Sequence, residues 1–210
     1  VQQLFRDLGV QQIVSGGQTM NPSTEDILHA AEQVPAMDVY VLPNNKNIVM
    51  AAEQAARLAR TSGVRRIHVV PTTTIPQGIS AMMAYDESAE IKDNVEAMQE
   101  ATSRVQSGSV TFAARDSDYD GHQIKEGELL ALENGKVAFT GTDLGSVTAK
   151  VAKDLMREDS QFITLLYGAG VSEEQAADVE EAVRSLLPEE VELTVAYGGQ
   201  PVYYFLISVE

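Results

Sequence analysis

The chain has 210 residues, 44% of them hydrophobic, and a formal net charge of −16. That length builds one large domain or two small ones around a real core, and no apolar run approaches the roughly 18 residues of a membrane span. The absence of cysteine excludes disulfides and thiolate metal sites, and the acid excess repels phosphate backbones, which argues against nucleic-acid binding.

The charge is uneven. Residues 1–105 carry 8 Lys+Arg against 12 Asp+Glu, and residues 106–210 carry 7 against 19. The acidic second half suits a basic protein partner as well as a merely solubilising surface. No signal peptide is legible, and a cytoplasmic location fits the missing cysteines. The opening "VQQLFRDLGV" reads as the middle of a longer protein.

In chain order, "QQIVSGG" reads as a short strand stopped by glycines. "STEDILHAAEQV" reads as a helix: Ile27, Leu28, Ala31 and Val34 share one face, Ser23 or Thr24 caps it, and Glu25 and Asp26 sit in its first turn. "MDVYVLP" is a buried strand, "NNKNIVMAAEQAARLAR" a helix, "RRIHVVP" a third strand, "TIPQGISAMMAY" a loop and short helix, and "SAEIKDNVEAMQEATSRV" a long amphipathic helix. Three strands separated by helices predict βαβ units and a parallel sheet. Six of the seven methionines fall in this half and read mostly as core filler.

The second half reads differently. "GSVTFAARDS" is a strand, and "DGHQIKEGELLALENGKVAFTG" gives short strands joined by turns, with "ENGK" a hairpin signal. "DLGSVTAKVAKDLMRED" and "SEEQAADVEEAVRSLLP" are helices around the strand "QFITLLYGAG". "VELTVAYGGQPVYYFLISVE" reads as two strands joined by a hairpin turn at Gly198-Gly199. The fold class is therefore α/β with two subdomains: residues 1–106 a parallel-sheet βαβ layer, residues 107–210 an α+β part with a mixed or antiparallel sheet.

Each first-half strand ends in a polar loop: "GGQTMNPST", "PNNKN" and "PTTTIPQG". Ligands of open α/β sheets bind at that carboxyl edge, where helix N-termini favour anions. Gly16, Gly17 and Gly78 permit close backbone approach. Gln18, Thr19, Asn21, Ser23, Thr24, Asn44, Asn45, Asn47, Thr72, Thr74 and Gln77 offer hydrogen bonds, and Lys46 offers a cation. Helix capping explains each loop equally well on its own. The convergence of all three raises the binding reading, toward either a small anion or a protein.

Familiar catalytic constellations are missing. His29, His68 and His122 have no metal spacing, and His68 reads as a satisfied strand residue. There is no P-loop, nucleophile elbow or dinucleotide fingerprint. Acids at 116, 118 and 120 in "RDSDYDG" open like a calcium loop but lack its glycine and glutamate in register. The repeated Gly-Gly-Gln is also the tripeptide of peptide-release factors, which an acidic, compact chain does not fit.

Taken together, "GGQTMNPST", "LPNNKNI", "VVPTTTIPQG", "AARDS", "TLLYGAGVS" and "GGQPVYYFLISVE" resemble, over nearly the whole chain, the C-terminal region of bacterial dihydroxyacetone-kinase-like proteins, the ATP-binding subunit of fatty-acid kinase. One departure is Thr73, where the family pattern carries Lys. The resemblance implies a DegV-like fold. It places ATP and magnesium in an upstream kinase domain and no cofactor or catalytic residue here. It implies docking of a DegV-like fatty-acid-binding protein whose acyl carboxylate is phosphorylated, feeding phospholipid synthesis, and it is compatible with a homodimer of the full-length protein. The alternative is a small-anion (phosphate or carboxylate) binding or regulatory domain of a dihydroxyacetone-kinase-like enzyme. A stand-alone kinase or hydrolase is the weakest reading, because no His sits at a loop tip.

Overall fold

Alternating side chains organise the first half of the chain. In the computed structural model, which describes residues 1–16, 20–119 and 122–210 (Tyr119 and His122 by backbone only), β1 (Asp38–Val41) pairs in parallel with β2 (Arg66–Val69), in register Asp38↔Arg66 to Val41↔Val69. Residues Gln2–Arg104 form one compact unit; Val105–Glu210 form a second, to which Val1 also belongs.

In the first unit, α1 (Gln2–Asp7) precedes α2 (Thr24–Glu32), α3 (Val49–Ser62), α4 (Ile75–Met83) and α5 (Ile91–Arg104). Successive strand residues point to opposite sides of the sheet. Val39, Val41, Ile67 and Val69 pack with α2 and α3, where Ala52, Ala55 and Ala59 form a thin seam that lets the helix approach closely. Tyr40, Leu42 and Val70 pack with Ala81 and Met82 of α4 and Met98 of α5.

Two expectations need correction in this unit. The run "QQIVSGG" forms no strand in its described part, residues 11–16, so the parallel sheet has two strands among the described residues. The run is short, flanked by exposed glutamines, and Val14 itself faces solvent, so it lacks an apolar face to bury. The methionines also differ: Met98 is fully buried, but Met20, Met37, Met50 and Met83 are exposed.

The second unit is built on a six-stranded mixed sheet of order β7-β6-β3-β10-β8-β9. Its strands are β3 (Gln106–Phe112), β6 (Leu129–Glu133), β7 (Lys136–Gly141), β8 (Phe162–Tyr167), β9 (Glu192–Tyr197) and β10 (Phe205–Val209). A small antiparallel ribbon, β4 (Ser117–Tyr119) with β5 (His122–Ile124), projects between β3 and β6 in sequence. The β8–β9 pair is parallel and the other ladders of this sheet are antiparallel.

Helices α6 (Leu144–Leu155) and α7 (Glu173–Arg184) supply Val147, Val151, Leu155, Val179 and Val183 to a core shared with Val110, Leu165, Phe205 and Ile207. Each such fully buried side chain contributes about 1.5–3 kcal/mol. Every residue of β10 is buried, as a central strand requires. The "ENGK" signal is a tight hairpin, with Asn134 at φ 48° and Gly135 at φ 81°. The expected hairpin at Gly198-Gly199 is not one: β9 and β10 are not neighbours, because β8 lies between them. The segment crosses over the end of β8 instead of reversing onto β9.

Candidate functional site

The carboxyl edge of the β1–β2 pair carries two of the three polar loops. Asn44 adopts the left-handed region (φ 55°), which asparagine tolerates. Its backbone N–H donates to Thr72 Oγ1 at 3.0 Å, and the Thr72 hydroxyl donates to Asn44 Oδ1 at 2.8 Å. Thr72 is fully buried. Gly78 on α4 completes this clamp: a Cβ there would lie 2.1 Å from Asn44 Oδ1. Asn44, Thr72 and Gly78 therefore join the loops after β1 and β2 to each other.

The remaining loop residues cap helices. Ser23 caps α2 in a reciprocal capping box with Asp26. Asp26 is held below the usual carboxylate range by hydrogen bonds from the Ser23 backbone and hydroxyl. Thr74 Oγ1 accepts from Gln77 N–H at 3.3 Å, and Gln77 Oε1 accepts from Thr73 N–H at 2.7 Å and from its hydroxyl at 3.0 Å. Asn45 Oδ1 accepts from Asn47 N–H at 2.9 Å. Thr24 Oγ1 lies 3.4 Å from Ala51 O, which sets the start of α2 beside the start of α3. Helix α3 opens without a side-chain cap, next to exposed Lys46 and Asn47. Gly16 is exposed with Pro22 against it, and Asn21 is exposed. Gly17, Gln18 and Thr19 lie outside the described residues, as does Asp120 of the calcium-like stretch.

Two features escaped the sequence. The first is a charged cluster at the amino edge of the same strands. Arg66 donates to Asp38 through Nε at 2.8 Å and Nη2 at 2.5 Å, and His68 Nε2 lies 2.8 Å from Asp38 Oδ1. His68 is thus a satisfied strand residue, as its sequence suggested. The Arg66 guanidinium, then His68, holds the Asp38 carboxyl well below the usual carboxylate range. A carboxyl with a depressed folded pKa stabilises the protein above its unfolded pKa, about 3.9, and that contribution is lost as pH falls toward the folded value. Asp38→Asn is therefore expected to lower stability at neutral pH, with the gap to wild type closing below about pH 4. Urea titrations from neutral to acid pH check this; a gap independent of pH would contradict it.

The second is the Gly-Gly-Gln turn of the other unit. Gln200 is buried, its Nε2 donates to Leu166 O at 2.8 Å, and its Oε1 has no hydrogen-bond partner. Gly199 and Val202 both adopt positive φ, 62° and 71°. For a β-branched residue that is a strained conformation. No signal in "GGQPVYY" marks Val202, because the strain arises from the crossover geometry. Among the described residues no three His, Asp or Glu side chains converge as a metal site, and no helix is long and apolar enough to cross a membrane.

Residues 1–210 match the FakA-like C-terminal family, the C-terminal region of A-type fatty acid kinase proteins. The chain belongs to this family. It is 42% identical to an uncharacterized protein of Staphylococcus haemolyticus over 100% of this chain and 37% of that protein. It is 40% identical to Protein YloV of Bacillus subtilis over 99% of this chain and 36% of that protein. The chain thus spans little more than a third of these curated relatives.

Among solved structures, a DegV family protein of Corynebacterium glutamicum aligns with a TM-score of 0.66 at 14% identity, over 100% of this chain and 91% of that one. The Streptococcus pneumoniae fatty acid kinase B3 protein loaded with linoleic acid aligns at 0.61 and 14% identity, over 90% and 76%. The dihydroxyacetone kinase of C. freundii with AMP-PNP and Mg2+ aligns at 0.67 and 15%, over 90% and 41%. At such identities the likeness shows the fold, which is the DegV and dihydroxyacetone-kinase fold expected from the motifs.

Proposed function

We propose that this chain is the non-catalytic docking domain of a fatty-acid kinase. It receives a DegV-like fatty-acid-binding protein so that a kinase domain elsewhere in the protein, with ATP and magnesium, phosphorylates the bound acyl carboxylate. The observation that carries this reading is the family match over the whole chain. The likeness to fatty acid kinase B3 and dihydroxyacetone kinase agrees with it at the level of fold.

The site chemistry points the same way. The polar loops spend most of their hydrogen bonds on one another and on helix caps, leaving no nucleophile–base pair at the carboxyl edge. The charge of −16 favours a partner with a basic face, because complementary potentials speed encounter and reject wrong partners. The reaction would take place in the cytoplasm, where acyl phosphate enters phospholipid synthesis. The experiment is a calorimetric titration of the DegV-like protein from the same organism into the protein: saturable binding supports docking, and no heat at high micromolar concentration removes it.

A further inference from the structure

The second unit concentrates aromatic side chains at one edge of its sheet. Five of the chain's 12 aromatic residues, Phe112, Tyr167, Tyr197, Tyr203 and Tyr204, surround the turn between β9 and β10. Phe112 is 39% exposed, Val202 40% and Tyr197 62%. They are linked, not scattered: Tyr167 and Tyr197 have ring centroids 5.2 Å apart, and Phe112 and Tyr204 5.9 Å apart. Single exposed apolar residues need no explanation, but a contiguous patch with a polar rim marks an interaction surface. Tyrosine is also the residue type enriched at the anchor points of protein interfaces.

The turn beneath the patch is built to hold one shape. Gly168 N–H donates to Tyr204 O at 2.9 Å, Ala169 N–H to Gln200 O at 3.0 Å, and Tyr204 N–H to Val110 O at 2.8 Å. The Thr111 hydroxyl donates to Val202 O at 2.7 Å. These bonds, with the buried Gln200 amide, keep Val202 in its strained conformation and fix its side chain outward. A free hairpin would relax that strain. Surroundings that hold a strained residue in place are characteristic of binding sites.

The rim is acidic. Exposed Glu173 and Glu174 open α7 just beyond Gly170, whose Cβ position lies 3.6 Å from the Tyr204 ring. Exposed Asp116 and Glu126 follow Phe112 in the neighbouring segment, against Arg115 and Lys125.

We infer that the aromatic edge around Gly198–Tyr204 is the docking face for the DegV-like protein. An apolar pocket on the partner takes Tyr197, Val202 and Phe112, and surrounding Lys and Arg side chains of the partner face Glu173, Glu174 and Asp116. This rests on the docking reading above and adds the surface.

The test is calorimetric titration of the DegV-like protein into wild type, the Phe112→Ser/Tyr197→Ala variant, and the Phe162→Ser variant. Phe162 is also exposed but stands at the opposite end of β8, so it controls for loss of any surface aromatic. Phe112→Ser/Tyr197→Ala is expected to weaken binding by about thirtyfold or more with an unchanged melting temperature, and Phe162→Ser to bind as wild type. Glu173→Gln with Glu174→Gln is expected to slow association and flatten its salt dependence. Wild-type affinity in Phe112→Ser/Tyr197→Ala would overturn the surface while leaving docking intact. Absence of binding by wild type would overturn both.

Discussion

Gly168→Ala is expected to destabilise the second unit by about 3 kcal/mol, a shift on the order of 10 °C in melting temperature. A Cβ at Gly168 would lie 2.1 Å from Tyr203 O and 2.6 Å from Gln200 O. Both obstacles are backbone. Neither can swing aside, because Gly168 N–H and Ala169 N–H already tie this segment to Tyr204 O and Gln200 O. Relief requires moving the whole β9–β10 crossover, and with it Tyr197, Val202 and Tyr203. Gly170, two residues on, is the control: a Cβ there meets only the Tyr204 ring at 3.6 Å, an ordinary contact, so Gly170→Ala should shift stability by less than about 0.5 kcal/mol. Calorimetric melting of both variants decides it; equal effects would refute the tight crossover.

The second large effect falls in the first unit. Thr72→Val keeps the shape of a fully buried side chain but removes its hydroxyl. Asn44 then loses the acceptor of its N–H and the donor to its Oδ1, which costs about 2 kcal/mol. Thr72→Ser keeps the hydroxyl and should lose about half as much, for one methyl group. Gly78→Ala drives a Cβ into the same Asn44 carboxamide, so the two substitutions should combine to less than their sum. Denaturant unfolding of the single and double variants measures the coupling. Strict additivity would show that Thr72 and Gly78 do not act through Asn44.

These two variants also separate what was legible in the sequence from what was not. Local signals transferred directly. Ser23, Thr74 and Ser172 cap the helices that follow them, and Asn134-Gly135 makes the hairpin its dipeptide demands. Such features depend on a few consecutive residues. Pairing across the chain was not legible. Asp38 and Arg66 are 28 residues apart and meet only because β1 and β2 pair in that register. The Gly198-Gly199 pair reads as a hairpin because two apolar strands flank it, and only the sheet order reveals the crossover.

The candidate loops show the same division. Asn44, Thr72, Thr74, Gln77 and Gly78 do gather at one strand edge, yet they bond chiefly to each other. Their composition could not distinguish a clamp from a ligand cradle, since both use small polar residues at helix starts. "QQIVSGG" misleads for a related reason: β-branched residues favour strands only where a neighbour exists to pair with.

Docking is tested most directly by titrating the fatty-acid-loaded DegV-like protein of the same organism into this protein, without nucleotide, at two salt concentrations. Saturable binding with a micromolar or lower Kd that weakens as salt rises is expected of an acidic docking face. No binding at high micromolar concentration, or binding indifferent to salt and to Phe112→Ser/Tyr197→Ala, would contradict it.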